Sequence, residues 1–205
     1  KEEFLLGNVA PDSVHFREDY SIEQKIHTHL FEGCGKWGDT SDYERWIENI
    51  KAFWNKYSEG APDRKGLLYI SGICAHCLTD YCNDLYVWRD LQKKNIPPLT
   101  KEEFSKAFAN EYKLADRWLY ENIHEAESIL GLLKASKDTE LPGYIYSKDI
   151  RKLKEHLINV QYNRKENVRV SDFKYYTSDR LMEFTDFVTD KLAGPGGSFI
   201  GTFIK

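Results

Sequence analysis

The sequence predicts an all-α fold: a single domain, residues 1–205, built as a multi-helix bundle around one central buried helix. Apolar residues recur at helical spacing over long segments, no run alternates as a half-buried strand would, and no internal repeat is visible. With 205 residues, 41% hydrophobic and 30% charged, the chain can bury one core and is too apolar for intrinsic disorder. A globular helical protein is therefore expected.

The first two predicted helices are the most strongly marked. The first begins at a capping box formed by Ser41 and Glu44 and ends at Gly60. The second runs from about residue 63 to residue 94. Its middle, residues 67–88, is apolar on nearly all sides, and this pattern is typical of a helix enclosed by its neighbours.

Three further helices follow in the C-terminal half. Thr100 and Glu103 form a second capping box, and the apolar stripe that it opens continues to Leu133, which predicts one helix of roughly nine turns. The other two helices are marked by their terminal residues, which are Ser147 for the fourth and Thr177 or Ser178, with Gly194 and Pro195 at the end, for the fifth.

Net charge argues against a long nucleic acid as partner, and hydropathy argues against a transmembrane segment. The 29 basic and 33 acidic residues give a net charge of −4, so no global basic field attracts a long nucleic acid. The longest uncharged stretch, residues 66–79, is too short to cross a bilayer, so we expect no transmembrane segment.

The cysteines favour a reducing compartment. Three of the four lie in one apolar, helix-like stretch, which is poor geometry for a disulfide framework. The expected buried, reduced thiols are Cys34, Cys74, Cys77 and Cys82. We therefore expect a cytoplasmic protein. Because the only methionine is Met182, Lys1 is not a genetic start, and secretion after removal of a leader is the alternative.

A metal site is suggested by two segments. His76 and Asp80 are four residues apart on the predicted buried helix, where both side chains share one face and need a partner. Either they coordinate a metal together or they form a hydrogen-bonded pair in the core. Earlier in the chain, Asp12 ends an apolar run, and half of the six histidines follow in what the sequence suggests is a loop-rich stretch; they are His15, His27 and His29.

Three motifs in this order resemble the bacterial zinc-dependent phospholipase C family, which is structurally related to the fungal zinc-dependent single-strand nucleases. They are FLLGNVAPD at residues 4–12, THLF at residues 28–31 and GICAHCLTDY at residues 72–81. The resemblance implies a mostly helical fold around one to three zinc ions, with a metal-bound hydroxide attacking a phosphodiester. It also implies that the best-defined zinc is held by Asp12, His29, His76 and Asp80, of which Asp12 and Asp80 are the catalytic carboxylates.

Other ligand candidates are less strongly marked. His27 is the alternative to His29, and Asp84 lies four residues after Asp80, near the place where secreted family members have a second histidine. On the third predicted helix, His124 is a further candidate ligand. Candidate carboxylates on the same helix are Glu111, Asp116 and Glu121. His156 is expected at the surface.

The sequence thus predicts a zinc-dependent phosphodiester hydrolase, with phospholipid as the first substrate class and oligonucleotide as the second. A metal-binding helical module without catalysis and a single-strand nuclease are the alternatives. No serine lies in a nucleophile elbow, and cysteines in an apolar helix are poor nucleophiles. The aromatic residues near the motifs are candidates for an acyl or base pocket or for the core: Phe16, Phe31, Trp37, Tyr81 and Tyr86.

Overall fold

A computed structural model describes residues 1–163, 165, 167–169, 171 and 173–193. The described part is mostly helical, so the predicted all-α class is confirmed. Its α-helices are α1 (Glu2–Val9), α2 (Ile22–Thr28), α3 (Tyr43–Ser58), α4 (Arg64–Cys82), α5 (Arg89–Asn95), α6 (Lys101–Asn122), α7 (Ala126–Ala135), α8 (Ser147–His156) and α9 (Ser178–Ala193). A 3-10 segment (Ala10–Phe16) and two π-helical segments (Asn83–Trp88 and Leu157–Gln161) continue three of them.

A two-stranded antiparallel hairpin lies between α2 and α3. Its strands are β1 (Gly35–Lys36) and β2 (Asp39–Thr40), which are too short to be recognised by alternation. Gly38 has a φ of 76°, a left-handed conformation that glycine adopts without strain, and it lets the chain reverse directly after Trp37.

The start of α3 differs from the prediction by one residue. Asp42, not Ser41, is the N-cap, because its carboxylate accepts a hydrogen bond from the Arg45 amide at 2.8 Å. The Ser41 hydroxyl instead donates to the Cys34 carbonyl at 3.3 Å, across the base of the hairpin. The predicted capping box with Glu44 is therefore wrong, since the hairpin uses the serine.

The predicted long second helix is confirmed as a central element. The chain is helical from Arg64 to Asn95, and Asp63 caps it by accepting from the Gly66 amide at 2.9 Å. The buried residues of α4 cover most of its circumference: Tyr69, Ile70, Ser71, Gly72, Ile73, Cys74, Ala75, Cys77, Leu78 and Cys82. The π-helical segment Asn83–Trp88 interrupts the regular register of the helix, which no sequence signal predicted.

The N-terminal stretch is helical rather than loop-rich. Helix α1 leads into the 3-10 segment through Pro11, which fits a first helical turn because its missing N–H would have no partner there. Helix α2 begins with a capping box in which Ser21 and Gln24 bond each other's main chain. The expectation of a loop was wrong because each element here is too short to show a clear helical period.

The third predicted helix consists of two helices. Its capping box at Thr100 and Glu103 is confirmed, but Ile123 adopts an extended conformation (φ −82°, ψ 121°) and ends α6 before α7 begins. The predicted starts of the last two helices are confirmed, and the Thr177 hydroxyl accepts from the Arg180 amide at 3.3 Å. The predicted end of the fifth helix at Gly194 and Pro195 lies outside the described residues.

Three groups of apolar residues form the interior of the described part of the chain. The first core surrounds α4 and includes Leu6, Trp46, Ile50 and Ile73. In the second core, Val87 of the π-helical segment and Leu91 of α5 pack with residues from α6 and from the approach to α9. A small third group joins Leu78 and Cys82 of α4 to Val188 of α9. Among the described residues, no helix has the length and hydropathy that a membrane crossing requires.

Helices α1 and α4 cross at two glycines. A Cβ atom on Gly7 would lie 2.1 Å from the Tyr69 carbonyl oxygen, and one on Gly72 would lie 2.2 Å from the Phe4 carbonyl oxygen. Only residues without a side chain allow the two backbones to come this close. The crossing brings the carboxyl end of α1 against the middle of α4, where His76 lies.

Candidate metal centre

Four donor side chains from three segments meet beside the α1–α4 crossing. His29 Nε2 lies 3.2 Å from Asp12 Oδ1 and 3.7 Å from Asp80 Oδ2, and His76 Nε2 lies 3.6 Å from the same Asp80 oxygen. The two imidazole rings are 5.1 Å apart between centroids. The structure thus brings together Asp12 from the 3-10 segment, His29 from the end of α2, and His76 and Asp80 from α4.

His29 is held with its Nε2 atom toward the carboxylates. Its side chain is 1% exposed, and its Nδ1 lies 3.0 Å from the Lys25 carbonyl oxygen. A carbonyl oxygen only accepts, so Nδ1 donates to Lys25 and Nε2 is left facing the carboxylates. Leu30, directly after it, has a φ of 57°, a left-handed conformation that costs a non-glycine residue about 1–2 kcal/mol. Buried contacts of Leu30 and Trp46 hold this turn, and the Trp46 indole donates to the His29 carbonyl at 3.0 Å.

His76 is oriented by a main-chain carbonyl of α1. Its Nδ1 donates to the Asn8 carbonyl at 2.7 Å, a contact made possible by the close crossing of α1 and α4. Its Nε2 atom is buried and makes no hydrogen bond within the described residues. A buried polar atom without a partner is costly, and here its lone pair faces the group that contains Asp80.

These residues fit a metal ion. Donor atoms of Asp12, His29 and His76 all lie within 4.8 Å of one another, the single such group found in the described residues. Four donors around a zinc ion at about 2.0–2.1 Å stand about 3.3 Å apart, so small side-chain movements would close the set. Histidines whose second nitrogen is fixed by a main-chain carbonyl are the usual form of metal-binding histidine.

The charge state of Asp12 suits the same role. Burial opposes its ionisation, but the hydrogen bond with His29 and the charges of His76 and Lys25 hold the pKa of Asp12 well below its usual range. An ionised carboxylate is the form that binds a metal. The side chain is 46% exposed, so it faces an open cavity rather than the core.

That cavity is a cleft of about 1090 Å³ whose lining includes three of the donors, Asp12, His76 and Asp80. The rest of the lining comes mainly from α6, from α8 and from the segment that continues α8. Apolar side chains of the lining include Val9, Phe16, Leu114, Leu153, Leu157 and Val160. Cationic side chains of the lining are Lys25, Lys113 and Arg117. A second cavity of about 410 Å³ shares Asp80 and Trp37 with the cleft.

The remaining ligand candidates lie elsewhere. His27 is 42% exposed, pairs with Glu32 through Nδ1 and stacks on Tyr144 with ring centroids 4.1 Å apart. Asp84 accepts hydrogen bonds from the hydroxyls of Thr40 and Tyr43, at 2.6 and 2.8 Å.

His124 is 97% exposed and lies 3.7 Å from its neighbour Glu125, so it faces solvent rather than the donor group. His156 was expected at the surface, but it is half-buried and lines the cleft beside Phe16, with ring centroids 5.3 Å apart.

The three carboxylates of α6 have different surroundings. Glu111 is buried and accepts from the amides of residues 174–176, so it holds the chain that leads into α9. Glu121 accepts from the amides of residues 167 and 168. Asp116 alone of the three lines the cleft, where it accepts from Gln161 and Tyr162.

The aromatic candidates divide in the same way. Phe16 and Trp37 line the cleft, and the Trp37 ring packs edge-on against His29 while the Lys25 ammonium lies 4.1 Å from its centre. Phe31 and Tyr81 belong to the first core and its margin, and Tyr86 is half exposed against α9.

All four cysteines are buried free thiols, as predicted. Burial raises the pKa of Cys34 to about 11 and of Cys74 to about 12. Neither a disulfide nor a nucleophilic thiolate at neutral pH is therefore part of the cleft chemistry.

Several residues of the site were not predicted from the sequence. The carbonyls of Asn8 and Lys25, which orient the two histidines, leave no sequence signal because any residue carries a carbonyl. Gln161 and Tyr162 reach Asp116 from 45 and 46 residues away, so no local spacing could indicate them. His15 was noted only as one of three clustered histidines, and its Nε2 lies 3.6 Å from Asp12 Oδ1.

Comparisons of the chain with protein-family models, with curated proteins and with solved structures found no match. The donor group, the residues that orient it and the cleft beside it are the features of the described chain from which a function can be proposed.

Proposed function

We propose that the chain is a zinc-dependent phosphodiester hydrolase with a phospholipase C-like helical fold. The observation that carries the proposal is the buried, unpartnered Nε2 of His76 facing Asp80, with His29 and Asp12 completing the donor set. A histidine that served only packing would have its nitrogens satisfied. An open cleft beside the donors distinguishes the arrangement from a closed structural zinc site.

Zinc is the metal that this donor set suits best. Imidazole and carboxylate together are common zinc ligands, whereas magnesium and calcium favour oxygen-only sites. A bound zinc ion supplies a nucleophile by lowering the pKa of a coordinated water to about 7. The protein's own contribution is to hold the ion with Asp12, His29, His76 and Asp80, and to keep Asp12 ionised.

The cleft lining supports a phosphodiester with an apolar substituent. Lys25 and Lys113 offer positive charge for the phosphate, and the apolar wall offers a place for acyl or base groups. Phospholipid is the first substrate class because the aliphatic side chains Leu153, Leu157 and Val160 line the cleft along one continuous helical segment. A short single-stranded oligonucleotide is the second, favoured by the aromatic rings of Trp37 and Tyr112 in the lining, on which bases can stack.

Metal binding is tested first. Protein is freed of metal by chelation and then dialysed, first against zinc and then against buffer without zinc. It should hold at least one zinc per chain, as measured by inductively coupled plasma mass spectrometry. His76→Ala and Asp80→Ala should lower the bound zinc, whereas His124→Ala, a histidine in open solvent, should leave it unchanged. Equal zinc content in all four proteins would refute the assigned ligands.

Activity is tested with a panel of bis-(p-nitrophenyl) phosphate, short-chain phosphatidylcholine and single-stranded DNA. Zinc-dependent turnover of any of them by the wild type, lost in His76→Ala and retained in His124→Ala, is the expected result. Zinc binding without turnover of any substrate would replace the proposal by the alternative of a metal-stabilised helical module.

A further inference from the structure

Asp116 is placed on the wall of the cleft that carries none of the four donors. It lies on α6, and its Oδ2 atom accepts from Tyr162 Oη at 2.6 Å and from Gln161 Nε2 at 2.5 Å. Both hydrogen bonds end on the same oxygen. Within the described residues Oδ1 makes no hydrogen bond, yet it is not a sealed buried atom, so it is open to the cleft.

The surroundings of Asp116 act on the pKa of its carboxyl group in both directions, with a net rise. Burial raises the pKa of Asp116, and the negative charge of Asp12 across the cleft adds to the effect. The hydrogen bonds from Tyr162 and Gln161 and the charge of Arg117 act in the opposite direction without reversing it. The two tyrosines near it, Tyr112 and Tyr162, have raised pKa values and are neutral at physiological pH.

Asp116 is not arranged as a second metal ligand. Its partners are an amide and a phenol that donate hydrogen bonds, whereas a ligand carboxylate would share its site with histidine or other carboxylates. The described part of the chain contains one group of closely spaced metal-binding donors, and Asp116 does not belong to it.

In phosphodiester hydrolysis the leaving oxygen needs a proton, and Asp116 lines the same cleft as the donors. The nucleophile and the leaving oxygen lie on opposite sides of the phosphorus during in-line displacement. With the nucleophile generated at the donor wall, the leaving oxygen points away from that wall, and an alkoxide is expelled only if it is protonated.

From this placement we infer that Asp116 is the proton donor to the leaving oxygen, a catalytic role that rests on the proposed function. As the bond between phosphorus and the leaving oxygen breaks, its electron pair goes to that oxygen, which takes the carboxyl proton from Oδ1 of Asp116. The Asp116 carboxylate then regains a proton from water after the alcohol leaves. Tyr162 and Gln161 hold the carboxyl group in place through Oδ2.

The test compares two leaving groups in zinc-loaded protein. Asp116→Asn should lower kcat for an alkyl phosphodiester about 100-fold or more, the usual contribution of a general acid. The same variant should hydrolyse a p-nitrophenyl phosphodiester at close to the wild-type rate, because p-nitrophenolate leaves without a proton. In the wild type, turnover of the alkyl ester should fall as pH rises through the pKa of Asp116, and this limb should be missing in Asp116→Asn.

Glu111→Gln is the matched control. Glu111 is a buried carboxylate on the same helix, and among the described residues it bonds main-chain amides only. Its loss should therefore change the hydrolysis rates of the two esters by the same factor. Losses of equal size for the two esters in Asp116→Asn would overturn the inference and leave Asp116 a structural residue. A fall in bound zinc in Asp116→Asn would also overturn it, by making Asp116 a ligand.

Carboxyl ¹³C NMR titration of the wild type gives a test that needs no turnover. The pKa of Asp116 should lie above the ordinary aspartate value of 3.8, and a value at or below it would overturn the inference. If the zinc-loaded wild type hydrolyses neither ester, the proposed function fails and this role fails with it. If the wild type turns over both esters and the variant loses both equally, only this role fails.

Discussion

Replacing Gly7 with alanine would act on the fold and on the donor group at once. The new Cβ would lie 2.1 Å from the Tyr69 carbonyl oxygen, far inside the 3.4 Å at which ordinary contact begins. The obstacle is helix backbone and cannot rotate away, so α1 and α4 would have to move apart by about 1 Å. Overpacking usually costs about 1–3 kcal/mol, and we expect a loss of about 3 kcal/mol here because no side chain can yield.

Gly131→Ala is the matched control for this change. Gly131 lies inside α7, and a Cβ atom added there would meet nothing within 4 Å. Alanine in a helix interior is favoured over glycine by about 0.5–1 kcal/mol, so this variant should be more stable than the wild type. The two glycine-to-alanine changes therefore have opposite expected signs.

Urea unfolding measures both effects. With a slope of about 2–3 kcal/mol per molar urea, the Gly7→Ala midpoint should fall by about 1 M or more. Zinc affinity should fall as well, by about 10-fold, because the separation of α1 from α4 lengthens the bond from His76 Nδ1 to the Asn8 carbonyl. If Gly7→Ala and Gly131→Ala unfold at the same urea concentration, the close crossing does not exist as described.

Two further predictions concern acid stability and thiol chemistry. Burial would raise the pKa of Asp138, but hydrogen bonds from Lys154 and Arg151 lower it below 3.8, so its stabilisation is present above that pH and lost as pH falls through the lowered value. Asp138→Asn should therefore be less stable than the wild type at pH 7, and the difference, measured by urea unfolding, should shrink below about pH 4; a constant difference would contradict this. The four buried thiols should react with Ellman's reagent at pH 8 only after denaturation, and rapid labelling of the native protein would disprove their burial.

The long helices could be predicted from the sequence because each repeats its apolar positions over several turns. The break between α6 and α7 could not, because the apolar stripe continues across Ile123 and neither glycine nor proline marks the change. The N-terminal helices were missed for the opposite reason, since each spans only about two turns. The predicted cap of α3 failed because Ser41 bonds the Cys34 carbonyl at the base of the hairpin instead.

The candidate site was predictable where its residues share a helix or a motif. His76 and Asp80 obey the i,i+4 rule because both lie in regular α4. Asp84 fails the same rule because the π-helical segment begins at Asn83, and its carboxylate is held instead by Thr40 and Tyr43. Spacing along α-helices cannot anticipate such a change of register.

The two histidines of α2 show a second limit. Residues two apart on a helix point about 200° away from each other, so only one of His27 and His29 can face the donors. Which one does so is decided by long-range packing: Trp46 fixes the His29 carbonyl, and Tyr144 stacks on His27 from the other side. Neither contact is visible in local sequence.

The π-helical segment Asn83–Trp88 fixes how many residues must separate the donor group from the second core. Each residue of an α-helix turns the chain that follows by about 100°. One residue fewer between Asp80 and Leu91 would leave the donors of α4 in place but turn Leu91 away from Phe104, its neighbour in the second core. No side-chain substitution reproduces that rotation. Insertions and deletions at this point are therefore the changes that would reorient the second core while the donor group stays as it is.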